Sequence, residues 1–297
     1  MFIDSFIGYL KVERNYSAHT LWAYRRDLRA FKEYVALLDE SLSFFEADTD
    51  VVRSWVAAMM DEGAEPSTVC RKLSALRSFF AYACANCGVR ENPVAGLKGP
   101  KNRRKLPSFV KTEEMDRLID DSSFGDGYEA CRDRMILQLF YETGVRLSEL
   151  VGMDVSSVDM QACSIKVLGK RNRERVIPFA AGLKSALGRY LLEREKISSS
   201  SSGALFLSSK GGRIDGGYIY RMVRSRLSGV TSVKKKSPHV LRHSFATAML
   251  NNNAEIGAVK ELLGHRQLAT IEIYTHLGFE ELKGFYEKAH PRAGKNN

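Results

Sequence analysis

The stretch of residues 92–107 constrains the fold more than any other part of the sequence, because no regular element can run through it. It reads Asn-Pro-Val-Ala-Gly-Leu-Lys-Gly-Pro-Lys-Asn-Arg-Arg-Lys-Leu-Pro, with three prolines and two glycines. Proline interrupts helices and strands, and glycine weakens both. A chain of 297 residues is also long for a single domain. We therefore expect a domain over residues 1–97, a basic linker over 98–107 and a second domain over 108–297.

Charge separates the same two parts of the chain. Residues 1–97 carry 11 Lys and Arg against 13 Asp and Glu, whereas residues 98–297 carry 34 against 22. Residues 98–111 and 221–242 hold cations and no acid. Such clusters attract phosphate backbones or anionic membrane surfaces. A solvated basic face would produce the same counts, so charge alone makes a nucleic-acid partner plausible without establishing it.

Residues 1–97 show helical periodicity. Apolar residues recur every three or four positions in two stripes: Leu21, Tyr24, Leu28, Phe31, Val35 and Leu38, then Val69, Leu73, Leu76 and Phe80. Cations off these stripes could face DNA, namely Arg25, Arg26, Arg29, Arg71 and Lys72. Ordinary solvated helix surfaces remain the alternative.

The second part has a mixed pattern. We expect a helix over 128–142, two short strands over 163–168 and 174–178 around a turn at 169–173, a helix over 181–196, and further helices from about 215 to 289. The sequence thus predicts a mainly α protein with a small β-sheet.

Several features bear on the compartment. No apolar stretch approaches the ~18 residues of a membrane span, and the N-terminus lacks the basic start of a signal peptide. The five cysteines are odd in number and irregularly placed, which disfavours a disulfide framework. We expect a cytoplasmic protein without membrane partners.

Five segments carry the candidate chemistry. They are Thr143-Gly-Val-Arg-Leu-Ser-Glu-Leu150, Gly169-Lys-Arg-Asn-Arg-Glu-Arg-Val-Ile-Pro178, His239-Val-Leu-Arg-His-Ser-Phe-Ala-Thr247, Leu262-Leu-Gly-His265 and Ile273-Tyr-Thr-His276. Each alone is weak evidence, because an arginine is usually a surface ion pair and a tyrosine in an amphipathic helix is usually core. Together they suit attack on a phosphodiester.

Arg146 and Arg242 are candidates for stabilising the charge that develops on the phosphate oxygens, since guanidinium presents a planar fork of donors. Tyr274 is the candidate nucleophile, able to form a covalent link. Ionising a phenol at pH 7 costs roughly 4 kcal/mol, so a base and cations must offset that cost.

The remaining positions could move protons. His239 could accept or orient the phenol proton, His265 could donate to the phosphate, and Lys170 at the hairpin tip could protonate the leaving oxygen. This chemistry calls for no metal and no nucleotide, because a phosphotyrosine preserves the energy of the broken bond.

The ordered set resembles the tyrosine recombinase (phage integrase) superfamily, and specifically the bacterial Xer recombinases. The family pattern Arg…Lys…His-x-x-Arg…His…Tyr falls on Arg146, Lys170, His239, Arg242, His265 and Tyr274. The resemblance covers nearly the whole chain and includes the closing Tyr286-Glu-Lys-Ala-His-Pro-Arg-Ala293, which is more like the XerC branch than the XerD branch.

The resemblance implies a two-domain clamp, with a helical core-binding domain and a mixed α/β catalytic domain. It implies a 3′-phosphotyrosyl intermediate, strand exchange through a Holliday junction in a tetramer on double-stranded DNA, and a C-terminal tail that docks on a neighbouring protomer. It also implies a dif-type site, a second related recombinase and a septal DNA translocase. Linker and hairpin cations are expected to contact DNA: Lys101, Arg103, Arg104, Lys105, Arg171 and Arg173.

Departures and alternatives remain. Arg171 follows Lys170 where relatives often have glycine, and Ala248 stands where many have histidine. An integrase or transposase of a mobile element, a type IB topoisomerase-like enzyme and a DNA-binding protein without catalysis are the competing functions. The Cys84–Cys87 spacing lacks a second ligand pair, and Val240 replaces the glutamate of a zinc-protease motif, so we predict no metal site. Glu149 either orients Arg146 or is a surface acid.

Overall fold

A computed structural model of the chain describes residues 2–101, 108–120, 124–169, 174–197, 202–264 and 279–293. It divides the chain into two units, Met1–Lys105 and Leu106–Asn297. Among the described residues, no helix has the length and apolar character that crossing a membrane requires.

The N-terminal unit is helical. Its helices are α1 (Phe2–Val12), α2 (Ala18–Leu38), α3 (Thr49–Asp61) and α4 (Pro66–Asn86). Local signals set their starts: Ser17 caps α2 by accepting from the Thr20 amide, Asp48 caps α3, and Pro66 opens α4. Both predicted stripes lie in α2 and α4, and they bury Phe31 and Phe80 completely.

The apolar stripe of α2 is incomplete at its ends. Leu38 is 52% exposed, and Leu21 and Tyr24 are only partly buried. The residues that follow α4 instead add to the core, because Val94 is fully buried and the Arg77 guanidinium donates to the carbonyls of Val94 and Leu97. The structure describes the 92–107 stretch up to Lys101. Within that part, the residues around Val94 and Leu97 pack on α4 and do not form a free linker.

The second unit contains the remaining elements. They are α5 (Thr112–Asp120), α6 (Tyr128–Thr143), α7 (Leu147–Gly152), a 3₁₀ turn (Val155–Ser157), β1 (Val158–Asp159), β2 (Ser164–Leu168), β3 (Glu174–Pro178), α8 (Ala181–Ile197), α9 (Gly216–Val230), α10 (Pro238–Asn251), α11 (Ile256–Leu263) and α12 (Phe279–Ala289). The helix α6 packs against α8 and α10. The fold class predicted from the sequence, mainly α with a small β-sheet, is confirmed.

The strands form one antiparallel sheet in the order β1-β2-β3. The two predicted strands match β2 and β3 closely, whereas β1 has only two residues and was not predicted. In the β2–β3 register Ile165 lies opposite Ile177, and Val167 opposite Arg175. Since alternate residues of a strand share a face, Arg175 lies on the same face as the buried Ile177.

The C-terminal residues pack against their own unit. The helix α12 contacts β3, α10 and α11. Beyond it, the His290 ring stacks on Tyr286 with centroids 5.1 Å apart, and burial lowers the pKa of His290 to about 4. The neutral imidazole therefore belongs to the apolar core.

Arg292 anchors the last described turn. It is 2% exposed and pairs with Asp116 at 2.8 Å and Asp120 at 3.1 Å, both on α5. A third carboxylate, Glu142 of α6, lies 3.3 Å from its Nε. Three acids surrounding one buried guanidinium fix the turn after α12 to two other helices.

Candidate active site

Two glycines in the left-handed conformation shape the candidate site. Gly144 ends α6 with φ +60° and Gly264 ends α11 with φ +63°. A side chain at 144 would meet Phe245 at 2.6 Å and Leu263 at 2.8 Å, so only glycine fits between α10 and α11 there. The sharp turn at Gly144 brings Arg146 to the N-cap of α7.

Arg242 is held by backbone carbonyls. It lies in α10 and is 7% exposed. Its Nη1 donates to the Gly144 carbonyl and its Nη2 to the Leu263 carbonyl, both at 2.5 Å. Burial and the nearby charges of Arg146 and Arg175 lower the pKa of Arg242 to about 9. The guanidinium remains a cation at neutral pH, oriented by oxygens at two helix ends.

Arg146 lies beside it. Its Nη2 donates to the Gly264 carbonyl at 3.3 Å, and its Nη1 donates to Glu149 Oε1 at 2.7 Å. The side chain is 29% exposed, so part of it is accessible. The structure thus brings together two of the six predicted catalytic side chains, Arg146 and Arg242, around the C-terminal end of α11.

Glu149 is the centre of this group and not a surface acid. It is 5% exposed and its Oε2 accepts from the Arg146 backbone N–H at 2.8 Å. Burial alone would raise its pKa, but hydrogen bonds from Arg175 and from the Arg146 backbone outweigh that effect and lower the pKa of Glu149 to about 2. The carboxylate is therefore ionised across the physiological range.

Sequence reasoning missed Arg175. Its two terminal nitrogens donate to Glu149 at 2.7 and 2.8 Å, and its Nε donates to the Leu262 carbonyl at 2.9 Å. The available signal was an arginine on the inward face of a strand, two residues before the buried Ile177. A buried guanidinium requires partners, so that position pointed to a concealed carboxylate.

All three arginines donate hydrogen bonds to backbone carbonyls at the C-terminal end of α11. The carbonyls of Leu262, Leu263 and Gly264 accept from Arg175, Arg242 and Arg146 respectively. The last carbonyls of a helix have no partners within it and carry partial negative charge. Among the described residues, three guanidiniums lie beside one carboxylate, and this excess of positive charge suits an anion.

Of the other four predicted catalytic residues, the structure describes His239 alone. His239 is exposed and stands in the first turn of α10, three residues before Arg242. Lys170, His265 and Tyr274 lie outside the described residues. Lys170 belongs to the connection between β2 and β3, His265 follows Gly264, and Tyr274 belongs to the connection between α11 and α12.

The predicted DNA-contacting cations of the N-terminal unit differ in their surroundings. Arg25 pairs with Asp4 at 3.1 Å, and Arg71 pairs with the buried Asp27. Arg26 lies 4.8 Å from the centre of the exposed Trp22 ring, and Lys72 lies 5.2 Å from the Trp55 ring. Arg29 and Lys101 are exposed, whereas Arg103, Arg104, Lys105, Arg171 and Arg173 lie outside the described residues.

Comparison with known proteins gives consistent matches. Residues 108–281 match the phage integrase family, and residues 3–86 match the phage integrase N-terminal SAM-like domain. The chain is 39% identical over 294 residues to tyrosine recombinase XerC of Pseudomonas aeruginosa, covering 98% of this chain and 95% of that protein. It is 34% identical over 295 residues to tyrosine recombinase XerC of Thermodesulfovibrio yellowstonii, covering 98% and 96%.

Solved structures share the fold. A XerH site-specific recombinase bound to a palindromic difH substrate in a post-cleavage complex has a TM-score of 0.73 at 22% identity, covering 96% of this chain and 84% of that chain. The Tn1549 transposon integrase in complex with transposon right end DNA also has a TM-score of 0.73, at 18% identity, covering 97% and 98%.

Proposed function

Because this chain belongs to the phage integrase family of tyrosine recombinases, enzymes that cleave DNA and transfer its strands, we propose that it resolves chromosome dimers at a dif-type site with Tyr274 as nucleophile. The observation that carries this proposal is the pair of Arg146 and Arg242 side chains gathered at the end of α11, immediately before the segment that contains His265 and Tyr274.

The proposed first step is attack of the Tyr274 oxygen on the scissile phosphorus. A bond forms between that oxygen and phosphorus, the bond from phosphorus to the 5′ oxygen breaks, and a 3′-phosphotyrosyl link and a 5′ hydroxyl result. His239 accepts or orients the phenol proton, and Lys170 supplies the proton that the departing oxygen needs. The 5′ hydroxyl of the partner strand then reverses the step and seals the exchanged strand.

The arginines stabilise the transition state in this scheme. Attack concentrates negative charge on the non-bridging oxygens, and His265 adds a further donor to them. A guanidinium has five N–H donors, and the contacts of Arg146 and Arg242 with backbone carbonyls and Glu149 engage only part of that set. In this proposal the N–H groups that have no partner among the described residues donate to the phosphate oxygens.

The proposed partner is double-stranded DNA, contacted by the cations of the N-terminal unit, the linker and the β2–β3 hairpin. Support comes from solved recombinases of the same fold that are bound to DNA. The complex would be a tetramer on DNA, assembled with a second related recombinase and regulated by a septal DNA translocase. In that tetramer the tail after Tyr274, which includes α12, would dock on a neighbouring protomer.

A nicked suicide substrate with a labelled dif-type sequence tests the proposal. The intact protein should form a covalent adduct that resists denaturant, and Tyr274→Phe should bind the same DNA and form none. The matched control is Tyr220→Phe, which removes a hydroxyl from a 43% exposed tyrosine of α9. Adduct in Tyr274→Phe would show that the nucleophile is elsewhere, and loss of adduct in both variants would show that the loss is not specific to Tyr274.

The competing activities give different products. Two dif-type sites on one plasmid should yield resolved circles, and a DNA segment with mobile-element ends should not integrate. Relaxation of supercoils without recombination would instead indicate a topoisomerase, and integration would indicate a mobile-element enzyme. The full-length identity of 34–39% to XerC proteins favours resolution.

A further inference from the structure

Arg175 links three elements of the catalytic unit. Its side chain leaves β3, forms a two-pronged pair with Glu149 of α7, and donates to the Leu262 carbonyl of α11. It is 14% exposed, so these contacts are largely shielded from water. Shielding strengthens each of them compared with a surface ion pair.

The backbone around Arg175 accommodates this arrangement. A side chain at Gly264 would approach the Arg175 Cδ to 3.2 Å, tighter than most real contacts. The guanidinium therefore lies against the turn that ends α11, at the carbonyl that receives Arg146. Displacing Arg175 would remove its hydrogen bonds to the Leu262 carbonyl, at the turn that ends α11, and to the Glu149 carboxylate at the same time.

The electrostatic role follows from Glu149. Its carboxylate contacts both Arg146 and Arg175. With Arg175 present, the negative charge is shared by two guanidiniums, and Arg146 keeps more of its positive potential for a bound anion. Without Arg175, Arg146 is the one cation among the described residues that still pairs with the buried carboxylate, which then draws that side chain towards itself.

We propose that Arg175 is a positioning residue for strand cleavage, which holds Glu149 and the end of α11 so that Arg146 is aligned on the scissile phosphate. This inference rests on the proposed function, because it assumes that Arg146 contacts the phosphate. We assign Arg175 a positioning role and not a catalytic one, because its contacts with Glu149 and the Leu262 carbonyl act on Arg146 and the end of α11.

The test compares Arg175→Ala and Arg175→Lys with Arg213→Ala. Arg213 is a suitable control because its guanidinium also bonds backbone carbonyls, of Val151 and Met153, and a carboxylate, of Asp154, none of which belongs to α11. Adduct formation on the suicide substrate is timed in single turnover, DNA affinity is measured by fluorescence anisotropy, and folding by circular dichroism.

Arg175→Ala should slow adduct formation on the order of 10²-fold, the effect of a small misplacement of a reacting group, and leave DNA affinity within about twofold. Arg175→Lys should recover part of the rate, because it keeps the charge but not the fork. Arg213→Ala should keep the wild-type rate. In the Glu149→Gln background, Arg175→Ala should add little further loss, because both residues act through one contact.

Other results would overturn the inference. Equal losses of affinity and rate would make Arg175 a DNA-docking residue, and full additivity with Glu149→Gln would mean that it does not act through that carboxylate. Equally slow adduct formation in Arg175→Ala and Arg213→Ala would mean that the loss of either arginine weakens the packing of the catalytic unit in general, and that Arg175 has no specific positioning role. An adduct formed by wild type and Arg175→Ala at the same rate would refute this inference alone, whereas no adduct in wild type would refute the proposed function.

Discussion

The buried carboxylate of Glu142 predicts a specific pH dependence of stability. Glu142 is 1% exposed, and its Oε1 accepts from Gln138 at 2.9 Å and lies 3.3 Å from Arg292 Nε. Its Oε2 has no hydrogen-bond partner among the described residues. Burial raises the pKa of Glu142 to about 7, although Gln138 and Arg292 oppose the rise and Asp116 adds to it.

The sign of the effect follows from proton uptake. A carboxyl with a raised folded-state pKa holds its proton in the folded chain and loses it in the unfolded chain near pH 4.5. Stability from this group is therefore greatest at low pH and is lost as the pH rises through about 7. Between pH 5 and pH 8 the loss amounts to about 2.5 kcal/mol, since each pKa unit corresponds to about 1.36 kcal/mol.

The assay is urea unfolding of wild type and Glu142→Gln at pH 5, 6, 7 and 8. Glutamine keeps an acceptor for Gln138 and Arg292 but does not titrate. The free energy of unfolding of wild type, relative to the variant, should fall by about 2.5 kcal/mol over that range. His290, with its pKa lowered by burial to about 4, is common to both proteins, so its contribution cancels in the difference.

The two units provide an internal control. Both tryptophans, Trp22 and Trp55, lie in the N-terminal unit, so fluorescence follows that unit while far-ultraviolet circular dichroism follows both. Only the dichroism transition of the second unit should differ between the proteins. Parallel stability curves, with a difference that stays constant from pH 5 to pH 8, would refute the reasoning.

Two further predictions concern the glycine turn and the paired cations. Gly144→Ala should lower the free energy of unfolding by about 2–5 kcal/mol, because alanine disfavours the left-handed backbone and its side chain would clash with Phe245 and Leu263. The control Gly125→Ala, at a glycine with positive φ but open space around it, should lower the free energy of unfolding by only about 1–2 kcal/mol in the same urea titration. Equal losses would mean that packing at Gly144 is unimportant. Arg71→Ala should lower the free energy of unfolding by roughly 2–3 kcal/mol, because it leaves Asp27 buried and unpaired. Arg29→Ala should leave the free energy of unfolding unchanged and reduce the slope of the logarithm of the DNA-binding constant against the logarithm of salt concentration by about 1. The reverse pattern would mean that Arg29 supports the fold and Arg71 contacts DNA.

Local patterns predicted several helices and the hairpin well, whereas α1, α3 and α5 were not predicted individually. The stripes in α2 and α4 follow the helical period, and a turn-rich segment between two apolar runs identified β2 and β3. The pattern did not reveal β1, because two residues carry no periodicity. These elements depend on neighbours within a few positions, which is the range over which a sequence pattern is informative.

Long-range partners could not be predicted. Glu149 and Arg175 are 26 positions apart, and Arg175 reaches a carbonyl 87 positions away. Arg292 reads as part of a polar tail, yet it is buried against acids more than 140 positions earlier in the chain. The motif predicts which residues take part in the chemistry, but tertiary packing determines which charged residues pair with them.

Main-chain oxygens, rather than side chains, receive the two candidate catalytic arginines at the end of α11. Drift in the identities of residues 262 and 263 would therefore leave the anchoring oxygens in place as long as the helix persists. A single inserted or deleted residue within 256–264 would be far more damaging, because it rotates the helix end by about 100° and turns all three carbonyls away together. The site therefore tolerates substitutions at residues 262 and 263 but does not tolerate a change in the length of this helix.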